Sequence, residues 1–553
     1  RDVAPSRGLG DVYKRQKGRK HMRKKVVSVL LTAAMTATML AGCGNKQTAD
    51  SQLGESYEET MAAVQSEEAA TKETETTAQA KELDYSERVD LVFYLLGDAP
   101  AGLDRVEDKI NEILLEKANA TVDFQFSTWT DWGEKYKLQL TTGGVDLIYT
   151  ASWNNFGQLA QSGAFLPLDD LLDQVSPDYK AQIDPAALEG CRVNGKIMTI
   201  PCLWKQYTPA GIEYREDLRE KYDLPVPDSI ENLEAYLKGI QEKDPSQGLL
   251  AQNPQGILAY EDDPVVGIES GYGQRVKMAD PTKVEDYWFS DEFVEDMKLL
   301  KDWADKGYWS RSILSNTTDA GEQYDNGQCV ALVFGMNPNK YATRVETWKA
   351  DHPDWKTAYF TFSEAAGKVW STTPTADATA ITKDCKNPER AMKVLELLAT
   401  DKDLNLLTQY GIEGEDYEVT SDGLYQSLNS DFGYEGLNAW SLRNPEYKLP
   451  NGEGGKLLQE MFDNYGKICE EKGMPSVDPY SGFSEDYSAY SAEKAAIDDV
   501  VSEYLRPLQN GLVDDVDAAV ETFREKVKAA GLDSAREGWA AQWQTYCEET
   551  GLK

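Results

Sequence analysis

Between Val89 and Tyr149 the spacing of hydrophobic positions switches repeatedly. Val89, Leu91, Phe93 and Leu95 alternate, the two-residue period of a strand. After Gly97-Asp98-Ala99-Pro100, Val106, Ile110, Ile113 and Leu114 fall on one helical face. Val122, Phe124 and Phe126 alternate again, Asp131–Leu140 reads as a helix stopped by Gly143-Gly144, and Val145–Tyr149 is a short apolar strand. Strands alternating with helices predict a parallel sheet covered by helices. Ligands collect at the carboxyl ends of such strands, here Gly97–Gly102, Ser127–Trp132 and Thr150–Asn155.

Further along, Asn194-Gly195 between apolar residues predicts a tight hairpin over Val193–Pro201. Asp228 with Glu231 reads as a capping box before Ile230, Leu233, Leu237 and Ile240. Trp288–Asp305 is a helical stretch, Cys329–Phe334 a buried strand, and Asn387-Pro388 the start of a helix through Leu398. Near the C-terminus Val516, Val520, Phe523 and Val527 form one stripe, and Trp539, Trp543 and Tyr546 another. The sequence carries no Walker loop, EF-hand loop, dinucleotide fingerprint or internal repeat.

Composition narrows the function. A chain of 553 residues with 41% hydrophobic and 10% aromatic residues is globular and has several domain-sized units. Its net charge of -38 excludes nucleic acid as the main partner, because phosphate binding needs clustered Lys and Arg. With only His21 and His352, a Ser-His-Asp or Cys-His site has no well-placed base, and a His-rich zinc site is unsupported. No catalytic residue, metal or cofactor is expected.

The charge is uneven. Residues 1–42 carry a net +8 and the rest -46. Met22-Arg23-Lys24-Lys25 followed by apolar Val26–Met39 has the layout of a secretory signal over 22–42, shorter than a membrane span. It ends Leu40-Ala41-Gly42-Cys43, which resembles the lipobox of bacterial lipoproteins; that resemblance makes Cys43 the lipidation site, with two acyl chains enough for stable anchoring. Residues 1–21 fit no targeting pattern and read as a non-native leader before a start at Met22. Residues 43–84, rich in Glu, Thr, Ala and Ser, read as an acidic tether.

The hairpin Val193–Pro201, Ala210–Leu218, Pro225–Leu233 and Asp325–Leu332, in this order, together with Leu40–Cys43, resemble family 1 of the extracellular solute-binding lipoproteins of ABC importers, the maltose-binding-protein-like cluster. Tyr410–Tyr417, Asn510–Asp514 and Lys528–Leu532 resemble a subgroup whose C-terminal region is a domain of unknown function. The resemblance implies an α/β, two-lobed periplasmic-binding-protein-like fold of type II, with hinge-linked discontinuous lobes and a helical C-terminal region. It places a first lobe at 85–207 plus roughly 371–430, a second at 208–370, and a helical region at 431–553 packed on both, with crossings near Trp204–Thr208 and Trp370–Thr375. It implies a monomer on the outer face of the bacterial membrane that captures a solute, a carbohydrate above all, and passes it to ABC permease subunits.

A sugar site wants an aromatic platform and a few carboxylate or amide groups. Position selects Trp129 and Asp131, Trp153 and Asn154, Trp204, Tyr260 and Glu261, Asn337, Trp370, Trp440 and Arg443. Asp131 has a second reading as a helix cap, and Arg443 as a structural ion pair or a carboxylate binder. Trp303, Trp309, Trp539 and Trp543 read as packing. The six cysteines beyond Cys43 are expected to stay mostly unpaired. Two other functions stay open: a peptide-binding or sensor lipoprotein, and a secreted glycoside hydrolase, which needs two carboxylates across the scissile bond.

Overall fold

The computed structural model describes residues 82–207, 209, 211–260, 266–277, 280–316, 318–334, 336–475 and 477–552, apart from the side chains of 259, 260 and 266–268. The leader, the signal segment, Cys43 and nearly all of the tether lie outside the described residues. Among the described residues no helix is long and apolar enough to cross a membrane.

The chain runs through β1 (Val89–Leu96), α1 (Leu103–Ala118), β2 (Ala120–Ser127), α2 (Trp132–Thr142), β3 (Leu147–Thr150), β4 (Ile200–Pro201), β5 (Gly211–Arg215), α3 (Ile230–Lys243), β6 (Ala331–Leu332), α4 (Pro338–Asp351), β7 (Thr357–Thr361), β8 (Ala378–Ile381) and α5 (Gly452–Lys472). β1 pairs in parallel with β2 (Val89↔Ala120) and β3 (Phe93↔Leu147). The five-stranded sheet has the order β2-β1-β3-β8-β4. It is mixed rather than parallel throughout: β8 returns from the second lobe and pairs antiparallel with β3 and β4. The alternation read from the sequence ends at β3, so the direction of a strand joining 228 residues later left no trace in it.

Two hydrophobic cores follow. The first packs Phe93, Leu95, Val106, Ile110, Leu114, Val122 and Leu147 with Leu395, Leu398 and Leu404. Full burial of each such side chain contributes roughly 1.5–3 kcal/mol. In α1 the buried residues recur every four positions, Val106, Ile110, Leu114 and Ala118, and the helix ends at Asn119 in the left-handed region, φ 43°. The second core lies against the three-stranded sheet β6-β5-β7, paired antiparallel. It takes in Leu233, Leu237 and Ile240 of α3, and Trp303, Phe523, Trp539 and Trp543. The helix cap of α3 sits one residue beyond the expected box: extended Ser229 accepts from the Asn232 N–H at 3.2 Å, and Asp228 takes the Asn232 side-chain amide instead.

The hairpin pairs Arg192 with Ile197 and Val193 with Lys196, and its turn residues Asn194 and Gly195 both have positive φ. The expected helix from Trp288 starts at Asp291, capped by Ser290, while Trp288 packs edge-on against Phe523 at 5.1 Å. The six cysteines among the described residues are free.

The chain leaves the first sheet after Pro201 and enters the second at Gly211; it leaves the second at Thr361 and returns at Ala378. These two connecting segments are bonded to each other. The Thr372 N–H donates to the Gln206 carbonyl at 2.8 Å, and the Cys202 N–H to the Asp377 carbonyl at 3.1 Å. The stretch from 431 onward is helical mainly from Gly452. Up to residue 451 its only helix is the short 3-10 turn Trp440–Leu442, and Phe432, Leu437, Ala439 and Leu442 join the first core. α5 packs around Trp204, Tyr207 and Val369, and the helices from Ser491 onward complete the second core.

Candidate functional site

Three tryptophans from separate segments meet at the carboxyl ends of the first sheet. Trp129 follows β2, Trp153 follows β3, and Trp440 comes from the 3-10 turn. Trp129 stacks on Trp153 with ring centroids 5.9 Å apart and on Trp440 at 5.8 Å. Tyr149 stands edge-on to Trp440 at 5.7 Å and lies 6.3 Å from Trp153. Trp129 remains 60% exposed and Trp153 52%. Large rings are ordinarily the most profitable groups to bury, so two stacked rings left open to water at a sheet's ligand-binding edge mark a surface that something else covers.

A polar network holds the platform from below. The Tyr149 hydroxyl donates to Asp377 Oδ1 at 2.6 Å, and Gln206 Nε2 and Arg443 Nη1 donate to Oδ2 at 2.8 and 3.3 Å. The Trp153 indole N–H donates to the Ala376 carbonyl at 3.0 Å. Arg443 also forms a two-pronged ion pair with Glu435, which takes Lys448 at 3.1 Å as well. Burial alone would raise the Glu435 carboxyl, but Arg443 and Lys448 outweigh it and hold it at about 2. Burial lowers the Lys448 ammonium against the pull of Glu435. Glu435 and Asn438 both have left-handed backbone, φ 56° and 52°. Strain of this kind, of order 1–3 kcal/mol per residue, persists where surrounding contacts fix it and clusters at ligand sites.

Arg443, Glu435, Tyr434 and Lys448 also line one wall of a cavity of about 430 Å³. Its other wall is α4 of the second lobe, with Lys340, Thr343, Arg344 and Thr347. That volume falls within the range of small-ligand sites. Arg443 thus joins the platform's support to the space between the lobes. A smaller cavity of about 70 Å³ lies along the connecting segments, among Trp204, Gln206, Thr372 and Asp377; it is too small for a sugar ring.

Not every residue selected from the sequence joins this arrangement. Trp204 is 7% exposed, with Lys448 Nζ 3.9 Å above its ring and Phe462 at 5.2 Å, so the protein's own groups occupy its faces. Asn337 caps α4 by accepting the Lys340 N–H at 3.0 Å, which commits its side-chain oxygen to the helix. Asp131 stands at the cap position of α2 without a capping bond and pairs instead with Lys135 at 2.6 Å. Asn154 has a buried side-chain nitrogen that meets no hydrogen-bond partner among the described residues. Trp370 is half-buried in the second connecting segment. Tyr260 ends the 3-10 helix Pro254–Tyr260; its side chain and Glu261 lie outside the described residues. Arg443 takes the ion-pair reading. The missed contributors are Tyr149, Asp377, Gln206, Glu435 and Lys448. A strand-end tyrosine after Leu147-Ile148 was the one local signal available for them.

A two-lobed α/β body with an aromatic face and an interlobe cavity defines the class of protein that traps a solute between hinged lobes. The profile of the family described as bacterial extracellular solute-binding protein matches residues 101–404, and that of a domain of unknown function (DUF3502) matches residues 479–548. The chain belongs to the bacterial extracellular solute-binding protein family. It is 26% identical over 459 residues to a carbohydrate ABC transporter substrate-binding protein of Streptococcus pneumoniae, covering 82% of this chain and 89% of that one. It is 22% identical to the lipoprotein LipO of Bacillus subtilis over 74% of this chain and 82% of that one. The crystal structure of the N-glycan transport solute-binding protein NgtS of Streptococcus pneumoniae superposes with a TM-score of 0.68 at 22% identity, over 84% of this chain and 99% of that chain, and shares its fold.

Proposed function

We propose that the protein captures a carbohydrate, an oligosaccharide above all, between its lobes and delivers it to the permease of an ABC importer. In this reading it is a monomer held at the outer face of the bacterial membrane by lipid on Cys43. Trp129, Trp153 and Trp440 stack against the C–H faces of the sugar rings, and the polar groups of the cavity walls take the hydroxyl rims. The observation that carries the reading is the stacked trio itself: rings from three segments, of which Trp129 and Trp153 are left open at the sheet's ligand-binding end while Trp440 packs partly against the first core. The names of the carbohydrate-binding relative and of NgtS support the solute class.

The test is a thermal-shift screen of the full chain against neutral oligosaccharides, acidic oligosaccharides and peptides, because a ligand that binds only the folded state raises its melting temperature. A shift with oligosaccharides is expected. A shift with peptides alone contradicts the sugar reading, and release of shortened sugars during incubation contradicts a pure binding role.

A further inference from the structure

The second half of the chain ends in a module that belongs to the second lobe. The Trp543 indole donates to the Pro281 carbonyl at 2.8 Å, Arg524 to the Trp288 and Ser290 carbonyls at 2.8 and 2.9 Å, and Arg536 pairs with Asp286 at 2.8 Å. Tyr490, Ile497, Phe523, Trp539 and Trp543 lie in the second core. The segment that leads into this module, residues 477–487, behaves differently: it has contacts on both sides.

On the side of the second lobe and its module, the Tyr272 and Tyr490 hydroxyls both donate to Glu485, at 2.7 and 2.8 Å, and the Tyr546 hydroxyl donates to the Pro479 carbonyl at 2.8 Å. On the first-lobe side, Gln161 Nε2 donates to the Ser484 carbonyl at 3.2 Å, and the Tyr487 hydroxyl donates to Gln158 Oε1 at 2.9 Å. Two first-lobe glycines make room for the segment. A Cβ on Gly157 would overlap the Ser484 hydroxyl and crowd its Cβ, and one on Gly190 would meet the Ser481 hydroxyl and the Pro374 ring. Neither glycine has positive φ, and Gly157 lies within the helix Phe156–Gln161. Their own backbone therefore accepts a side chain, and Ala would even favour the helix at Gly157. Close approach of the segment is the physical reason for glycine at both places.

The geometry points to residues 477–487 as an interlobe latch, a role for the C-terminal module in setting how far the lobes open. The latch lies beside the hinge: Val477 lines the small cavity along the connecting segments, and Pro374 of the second connection touches the Gly190 seat. In this arrangement the Trp129 and Trp153 rings are open to water, so the latched form is the one a solute can enter. Closure must turn the first lobe against a segment fixed to the second, and the contacts at Gly157, Gly190, Gln158 and Gln161 oppose that rotation. Loosening them shifts the equilibrium toward the closed form before any solute binds.

The experiment uses the full chain without solute, so its outcome is independent of which ligand the cleft takes. A fluorophore pair is introduced through non-cysteine chemistry at Glu112 on the first lobe and Glu295 on the second, both well exposed. The double variant Gly157→Ala, Gly190→Ala is compared with the parent by energy transfer and by hydrogen exchange over residues 477–487. Faster exchange in the segment together with about a 5-fold or greater rise in the closed population is expected. Faster exchange with unchanged energy transfer overturns the latch, since the segment is then released and the lobes ignore it. Unchanged exchange overturns it too, because the glycines are then no seat. Should the double variant fail to fold, Tyr487→Phe removes only the bond to Gln158; it is expected to shift energy transfer in the same direction by a smaller amount, and no shift overturns the proposal.

Discussion

Trp129 and Trp153 stack with centroids 5.9 Å apart, and so do Trp539 and Trp543. The first pair is 60% and 52% exposed, the second 2% and 1%. Ring geometry therefore does not separate a binding surface from a core; its setting does. The C-terminal pair sits four residues apart on one helix, as a hydrophobic stripe requires, and its indoles are used up in packing and in the bond to Pro281. The platform pair follows β2 and β3, the two strands that flank β1, where the fold gains nothing by keeping rings in water. The acids near the two clusters differ as well. Glu435, under the platform, is held low by two cations, whereas Asp478, ahead of the C-terminal cluster, is pushed up to about 6 by burial.

The sharpest way to break the contrast is truncation on each side. Trp543→Ala empties a filled core and leaves the Pro281 carbonyl only the weak Cys547 thiol donor at 3.7 Å, so a loss of about 3–5 kcal/mol is expected in denaturant unfolding. Trp129→Ala should change that stability by less than about 1 kcal/mol. Equal losses would erase the distinction.

The acids sharpen it through opposite pH slopes. A carboxyl depressed in the folded state stabilises above its unfolded value and loses that contribution as pH falls through the folded one. For Glu435 the window runs from 4.5 down to about 2, and the effect is on the order of 3 kcal/mol. Glu435→Gln should therefore be less stable than the parent at pH 6, with the gap shrinking below pH 4.5. Asp478 has the reverse sign: its folded value lies above the unfolded 3.8, so stability falls as pH rises from 3.8 to about 6. Asp478→Asn keeps an acceptor for the Tyr480 N–H and should gain about 1–3 kcal/mol at pH 7 and nothing below pH 3.8. Melting curves at three pH values check both, and parallel slopes would contradict the assignment.

Much of this was legible in the sequence, because local chemistry dictates it. The strand and helix periods of 89–149, the Asn194-Gly195 turn and the strand-end positions of Trp129 and Trp153 all depend on neighbours a few residues away. What stayed hidden depends on partners far along the chain. Asp377 earns its place from Tyr149, Gln206 and Arg443, the nearest of them 66 residues distant. Trp204 has the right loop position for a sugar, yet Lys448 and Phe462 close over it. Asn337 followed by Pro338 is a helix-start signal as good as any in the chain, and the loop position obscured it. The seats at Gly157 and Gly190 are invisible without the segment that fills them.

Isothermal titration of the parent and of the Trp129→Ala, Trp153→Ala double variant, with the oligosaccharide that gives the largest thermal shift, decides whether the exposed rings bind the solute. Truncating well-placed aromatic contacts costs about 2 kcal/mol or more, so a loss of affinity of about 30-fold or greater is expected, with unfolding unchanged to within about 1 kcal/mol. Unchanged affinity in a folded double variant would contradict the platform and move the solute site elsewhere on the molecule.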